Sequence, residues 1–178
     1  MEVTTATFRE IAVPASIFST LRDELSKEVG SLVTIHALHH AGYEAGTTAA
    51  RTFGAPDGVG AMSQSKFWGT LSDFFTRRGW GSLTLGPEHA GVGVLASDDW
   101  AEAVSGADDA DASCSFSTGF LSGLLSALAG APIAVLEVEC RTRGNGHCRF
   151  AFGSEQAIHD LYGKLVDGAE LDGALAAR

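Results

Sequence analysis

Residues 113–130, SCSFSTGFLSGLLSALAG, and residues 133–152, IAVLEVECRTRGNGHCRFAF, decide how this chain is read. In the first stretch Phe116, Phe120, Leu121, Leu124, Leu125 and Leu128 recur at helical period, with Gly119 and Gly123 making a second, small-residue face. A helix apolar over so much of its circumference is expected to be buried. In the second stretch the runs on either side of Gly144-Asn145-Gly146 alternate apolar and polar residues, the pattern of two paired strands around a reversal. The spacing therefore predicts a helix, a turn at Gly130 to Pro132, and a β-hairpin with one cysteine on each arm.

All three cysteines, Cys114, Cys140 and Cys148, lie within this stretch. Their odd number and the lack of an N-terminal apolar signal segment argue against a disulfide. As isolated thiols they would serve as small core hydrophobes. Their company argues for more, because Glu137 sits among them in an apolar run where an unpaired charge is costly. A zinc ion answers both points, accepting three thiolates and one carboxylate in a closed tetrahedral site. Spacing alone leaves the core and zinc readings open, since no Cys-x-x-Cys pair is present.

The order Cys114, then Gly119 and Gly123, then Glu137 to Cys140, then Gly144 and Gly146, then Cys148 and Phe150 resembles the 4-vinyl reductase domain family. That family includes the ligand-sensing domains of phenol- and xylene-responsive bacterial activators. The resemblance implies a structural zinc held by Cys114, Glu137, Cys140 and Cys148. It also implies an α+β fold, an antiparallel sheet with flanking helices, like that of trafficking-complex (TRAPP) subunits and nitric-oxide sensor domains. Glu137 and Cys140 differ by three positions, so a flat strand would send them to opposite faces. A bulge or strand end must lie between them if both meet one ion. Glu139 is the substitute ligand, with the same parity problem.

The chain has 178 residues, 45% of them hydrophobic, which is enough for one well-buried core and points to a single domain over residues 1–178. A formal net charge of −10 with scattered Lys and Arg excludes nucleic-acid binding as an expected role. No apolar run approaches the roughly 20 residues of a membrane span, and no targeting pattern is visible. The expectation is a cytoplasmic protein that meets neither nucleic acid nor membrane.

Upstream of the deciding stretch, residues 3–12 carry enough β-branched residues for a short strand closed by Pro14. Residues 14–30 predict an amphipathic helix with Ile17, Phe18, Leu21, Leu25 and Val29 on one face and Gly30 as its stop. The next helix, 31–54, carries the small residues Ala41, Gly42, Ala45, Gly46, Ala49 and Ala50. Such a stripe admits a second helix at close range, within the chain or across a two-fold axis. The family resemblance implies a Gly-x-x-x-Gly helix near this position and a homodimer, hence Gly42, Ala45 and Gly46 as packing residues. His36, His39 and His40 on this helix lack an acidic partner and are read as ordinary helix histidines.

Residues 55–62 are a connector by composition. A third helix over 63–79, capped by Ser63 or Ser65, gathers Phe67, Trp68, Leu71, Phe74 and Phe75 on one face. Such a stripe is usually core, and otherwise the wall of a pocket for a flat apolar ligand. Residues 80–86 and 90–97 predict two paired strands. The following Trp-Ala-Glu-Ala run resembles the Trp-x-x-Ser-x-Glu-Ala strand of the phenol sensors, which implies a ligand-contacting role for Trp100, and His89 is the nearest candidate for their ligand-binding histidine. Asp108, Asp109 and Asp111 are solvated loop charge, too few for a calcium loop. Residues 154–167 predict a final helix capped by Ser154 with Ile158, Leu161 and Leu165 inward, and the tail to Arg178 continues as a short helix or frays.

No Ser/His/Asp arrangement, phosphate loop or nicotinamide fingerprint appears, so no residue is read as catalytic. The leading expectation is a zinc-stabilised sensor or regulatory domain that encloses a hydrophobic or aromatic small molecule. One alternative, from the family's name, is an accessory or carrier protein in vinyl reduction during (bacterio)chlorophyll synthesis. The other is a regulatory module that docks a protein partner.

Overall fold

A computed structural model describes residues 9–53, 59–87, 89, 91–103 and 114–176. Helices α1 (Ser16–Val29), α2 (Ser31–Ala49) and α3 (Gln64–Thr76) precede strands β1 (Thr84–Leu85) and β2 (Val92–Ser97). Helix α4 (Ser115–Ala129), strands β3 (Ala134–Glu139) and β4 (Cys148–Gly153), and helices α5 (Glu155–Val166) and α6 (Leu171–Ala176) complete the order. The four strands pair antiparallel in the order β1-β2-β4-β3, so the fold is the expected α+β arrangement.

Strand alternation divides the core between the two faces of this sheet. Leu95 and Phe150 face the larger cluster with Leu71, Phe75, Trp100, Leu121 and the three cysteines. Val94 and Ala151 point the other way, to Ile158 and Leu161 of α5 and to Ala174 and Leu175 of α6. Helices thus cover both faces. The caps are those the sequence predicts: Ser63 Oγ accepts from the Lys66 amide, and Ser154 Oγ from the Ala157 amide. The tail residues form α6.

Helix α4 buries residues on all sides, ten in all. It can do so because its glycines interlock with those of α2. A Cβ on Gly42 would stand 2.1 Å from the Phe116 carbonyl oxygen, and one on Gly46 2.1 Å from that of Phe120. In return, a Cβ on Gly119 would meet the His39 carbonyl oxygen at 2.0 Å, and one on Gly123 that of Tyr43 at 2.1 Å. The small-residue faces of the two helices are therefore spent on each other, within one chain.

Several local expectations are corrected. Residues 9–12 are not a strand, because Glu10 turns to Arg78 instead of pairing with a sheet edge; residues 3–8 lie outside the described residues. The strand expected over 80–86 shrinks to Thr84–Leu85, since Gly79 and Gly81 take φ of 77° and 115°. The Trp100 segment is turn, held by Asp99 Oδ1, which accepts from the Ser82 amide and from the Ser82 and Ser97 hydroxyls. On α1 only Phe18 and Leu25 of the predicted apolar face are half-buried, while Ile17, Leu21 and Val29 stay exposed. Of the connector, Val59–Ala61 is a 3-10 turn; residues 54–58, and the acidic loop with Asp108, Asp109 and Asp111, lie outside the described residues.

Candidate functional site

Cys114 is the residue before α4, Glu137 lies in β3, Cys140 follows the end of β3, and Cys148 opens β4 opposite Ser97. Three separate elements thus converge, and one potential ligand atom from each of the four residues lies within 4.8 Å of the others. The parity problem is solved as the spacing requires. Glu137 pairs with Phe150 but Glu139 with Arg149, so β3 gains one residue between them and Cys140 returns to the side of Glu137. Behind this bulge the hairpin loop folds around Cys140, whose carbonyl accepts from the Arg143 and Asn145 amides while its own amide donates to Asn145 Oδ1.

Glu139, the substitute ligand, is engaged elsewhere: its Oε2 lies 2.7 Å from His147 Nε2 and 3.5 Å from Arg149 Nη1. Glu137 is the carboxylate of the cluster. Its Oε2 accepts from the Cys114 backbone N–H at 3.0 Å, and its Oε1 is buried without a hydrogen-bond partner.

The electrostatics of the cluster call for a cation. Hydrogen bonding to Cys140 and Cys148, then burial and the nearby Glu137 charge, push the Cys114 thiol well above its ordinary range. Burial foremost, with Cys140 beside it, does the same to the Glu137 carboxyl. The hydrogen bond from Cys114 pulls Cys148 down, but the bond to Cys140 and burial outweigh it and the thiol is pushed up to about 12. Three buried sulfurs and one orphaned carboxylate oxygen, each resisting ionisation because the others are near, form a donor set that can hold a metal ion. Among the described residues it is the one such group of His, Cys, Asp and Glu.

Helix α4 carries this cluster at its start and a cavity wall two turns later. The cavity measures about 820 Å³ and is floored by Phe74, Trp80, Phe116 and Phe120, with Ala45, Thr48 and Ala49 of α2 on one side. A second, smaller one of about 210 Å³ is lined by Phe67, Trp68, Leu128 and Phe152. The residues expected to form one pocket are therefore distributed. Phe74 lines the larger cavity, Phe67 and Trp68 the smaller, and Leu71, Phe75 and Trp100 line neither, being 0–1% exposed inside the core. Trp100 stacks among Phe75, Trp80 and Phe150 and donates from Nε1 to Ser117 Oγ at 2.7 Å. His89 forms a tight turn with Val92 and lines neither cavity.

Two residues that the sequence patterns do not single out prove central. Trp80 lies 5.9 Å from Phe116 with the rings only 6° from parallel, and also touches Phe18, Phe75 and Phe120. Glu102, 2% exposed, caps α4: its carboxylate accepts from the Phe116 and Ser117 amides and from the Ser117 hydroxyl. Burial pushes its carboxyl up to about 7 against the pull of these bonds. Trp80 shows no period that flags it, whereas Glu102 sits in the Trp-Ala-Glu-Ala run and is legible as part of that motif.

None of the described helices is long and apolar enough to cross a membrane. Three solved structures share the fold. The phenol-responsive sensory domain of the transcription activator PoxR, solved with phenol, superposes with a TM-score of 0.70 at 21% identity, over 92% of this chain and 85% of that one. A trafficking protein particle complex subunit 3 from Naegleria fowleri, covalently bound to palmitic acid, gives 0.61 at 12% identity over 78% and 91%. A vinyl-4-reductase family protein from Methanocaldococcus jannaschii gives 0.50 at 18% identity, over 82% of each chain. No curated protein matches the sequence. Residues 102–154, which contain Glu102 and all four residues of the metal-ligating cluster, match the vinyl-4-reductase domain family, and the resemblance to the 4-vinyl reductase domain family is borne out.

Proposed function

We propose that this chain is a small-molecule-binding sensory or regulatory domain, stapled by one structural zinc ion and taking a hydrophobic or aromatic ligand against Phe74, Trp80, Phe116 and Phe120. The observation that carries the reading is the double use of α4. Cys114 anchors its first turn to the β3–β4 hairpin, and Phe116 and Phe120 line the 820 Å³ cavity. That volume falls in the range of roughly 300–1,000 Å³ typical of small-molecule sites. The likeness to a phenol-responsive sensory domain supports the same reading.

Zinc is the metal that the donors favour, since thiolates are poor ligands for magnesium or calcium. Held by Cys114, Glu137, Cys140 and Cys148, it would supply a fixed divalent charge and a crosslink. Four protein donors leave no open position for a substrate, so the role is structural and the domain binds rather than catalyses. Signalling then needs a partner.

A homodimer belongs to this proposal, through a surface other than the α2 glycines, which are already engaged with α4. Ile17 and Leu21 on α1 and Leu32, Val33 and Ile35 on α2 remain exposed, Leu32 at 69% and Val33 at 53%. Apolar residues this close together favour a second copy over water. The test of the whole reading is native mass spectrometry of protein purified without added metal. One zinc per chain with a co-purified apolar organic mass supports it; a tetrapyrrole points to the pigment branch, and a ligand-free chain that takes up no apolar compound overturns it.

A further inference from the structure

The larger cavity is chemically asymmetric. Its floor is aromatic, but its rim carries three arginines, Arg9, Arg77 and Arg78, against two glutamates, Glu10 and Glu44. In a chain of formal charge −10 that local sign is inverted. Arg78 is the fixed member of the set. Its guanidinium lies 3.7 Å over the Phe74 ring, Nη1 donates to the Phe74 carbonyl at 3.0 Å, and Nε donates to Glu10 Oε1 at 2.6 Å. A planar fork held against the edge of an aromatic floor is the form in which arginine recognises carboxylates.

The chain supplies its own example of the guest. Glu10 belongs to the extended segment 9–12, which lines the cavity through Arg9, Glu10, Ile11 and Ala12 and lies 68 positions from Arg78 in sequence. Ile11 in this segment is 85% exposed, so apolar burial contributes little to holding it there. The Glu10–Arg78 pair is itself partly exposed, at 45% and 29%, and partly exposed pairs are weak. A ligand that brings both a carboxylate and an apolar body can therefore outcompete Glu10, because it adds contacts with Trp80 and Phe116 that Glu10 does not make.

We propose that this cavity binds a hydrophobic carboxylic acid, whose carboxylate takes the Arg78 guanidinium from Glu10 while its apolar body lies on the Phe74, Trp80 and Phe116 rings. This rests on the small-molecule reading above and narrows it to a ligand class. Glu10 acts as a built-in competitor, and its displacement frees segment 9–12 from the cavity rim.

The test uses the whole zinc-loaded chain and a matched pair of probes, 2-naphthoate and its neutral isostere 2-naphthamide, followed by calorimetry and by Trp80 fluorescence. Naphthoate is expected to bind about tenfold tighter than the amide, the size of one charge-assisted contact. Glu10→Gln should tighten naphthoate binding severalfold and leave the amide unchanged. Arg78→Gln should erase the preference without weakening the amide. Equal affinities in the parent chain, or a preference that survives Arg78→Gln, overturn the proposal while leaving an apolar cavity in place. If Arg78→Gln does not fold, an unchanged naphthoate-to-amide ratio in Glu10→Gln overturns it. Binding of neither probe also overturns it, and the small-molecule reading is then judged separately by the co-purified mass.

Discussion

Glu137 in β3 and Cys114 at the head of α4 are joined by a hydrogen bond from the Cys114 backbone N–H to Glu137 Oε2, 3.0 Å long, while Glu137 Oε1 is left buried and unpartnered. The helix and the hairpin are therefore already docked before any ion is considered, and the remaining oxygen faces sulfurs that resist ionisation. Removing one member of such a set leaves the others buried without their partner. Cys140→Ser is expected to lose the metal and to destabilise the fold by several kcal/mol, on the order of a metal-coupled folding step. Denaturant unfolding with metal analysis of the same sample checks this, and a parental midpoint in the variant would count against it.

The glycine interlock between α2 and α4 gives a prediction with an internal control. Gly42→Ala places a methyl 2.1 Å from a backbone oxygen that cannot step aside without separating the helices. A loss of about 1–3 kcal/mol is expected. Gly163 is equally helical, but nothing lies within 4 Å of its would-be Cβ. Gly163→Ala should stabilise by roughly 0.5–1 kcal/mol through helix propensity. Thermal unfolding of the two variants should shift in opposite directions.

Glu102 makes stability depend on pH in a defined sense. Its folded carboxyl is pushed up to about 7, chiefly by burial, although the Ser117 and Phe116 donors and the Arg22 charge pull the other way. A raised carboxyl favours the folded state when protonated, so its contribution is complete below the ordinary carboxylate range and is lost as pH rises through about 7. The span is on the order of 3 kcal/mol. Glu102→Gln, which cannot ionise, should flatten the fall in stability between about pH 5 and pH 8 relative to the parent. Parallel pH profiles for both proteins would refute the assignment.

The exposed apolar residues of α1 and α2 carry the dimer proposal. Replacing Leu32 and Val33 together with Glu should leave the fold intact, since both are surface positions, and convert the dimer to monomer in sedimentation velocity. A parent that sediments as a monomer at micromolar concentration would remove the dimer altogether.

What is legible in the sequence follows the range of the interactions. The four ligands, the helix caps at Ser63 and Ser154 and the burial of α4 are written in local spacing, and even the bulge after Glu137 follows from the three-residue step to Cys140. The partner of the α2 glycines stays open between a second helix and a second chain, because a small-residue stripe records closeness but not with what. Trp80 reads only as the start of a strand, since its importance comes from Phe18, Phe116 and Phe120, which no local pattern ties to it. The aromatic stripe of α3 is legible as a stripe. Its division into core and two cavity walls depends on where Phe53 and Phe120 wedge between its rings.

The measurement closest to the central claim is the metal content of well-folded protein, by inductively coupled plasma mass spectrometry on gel-filtered material. One zinc per chain, lost with the native fold on exposure to a strong chelator, is the expected result. A folded, cooperative protein that carries no metal and does not respond to chelator would mean that Cys114, Glu137, Cys140 and Cys148 stand together for packing alone.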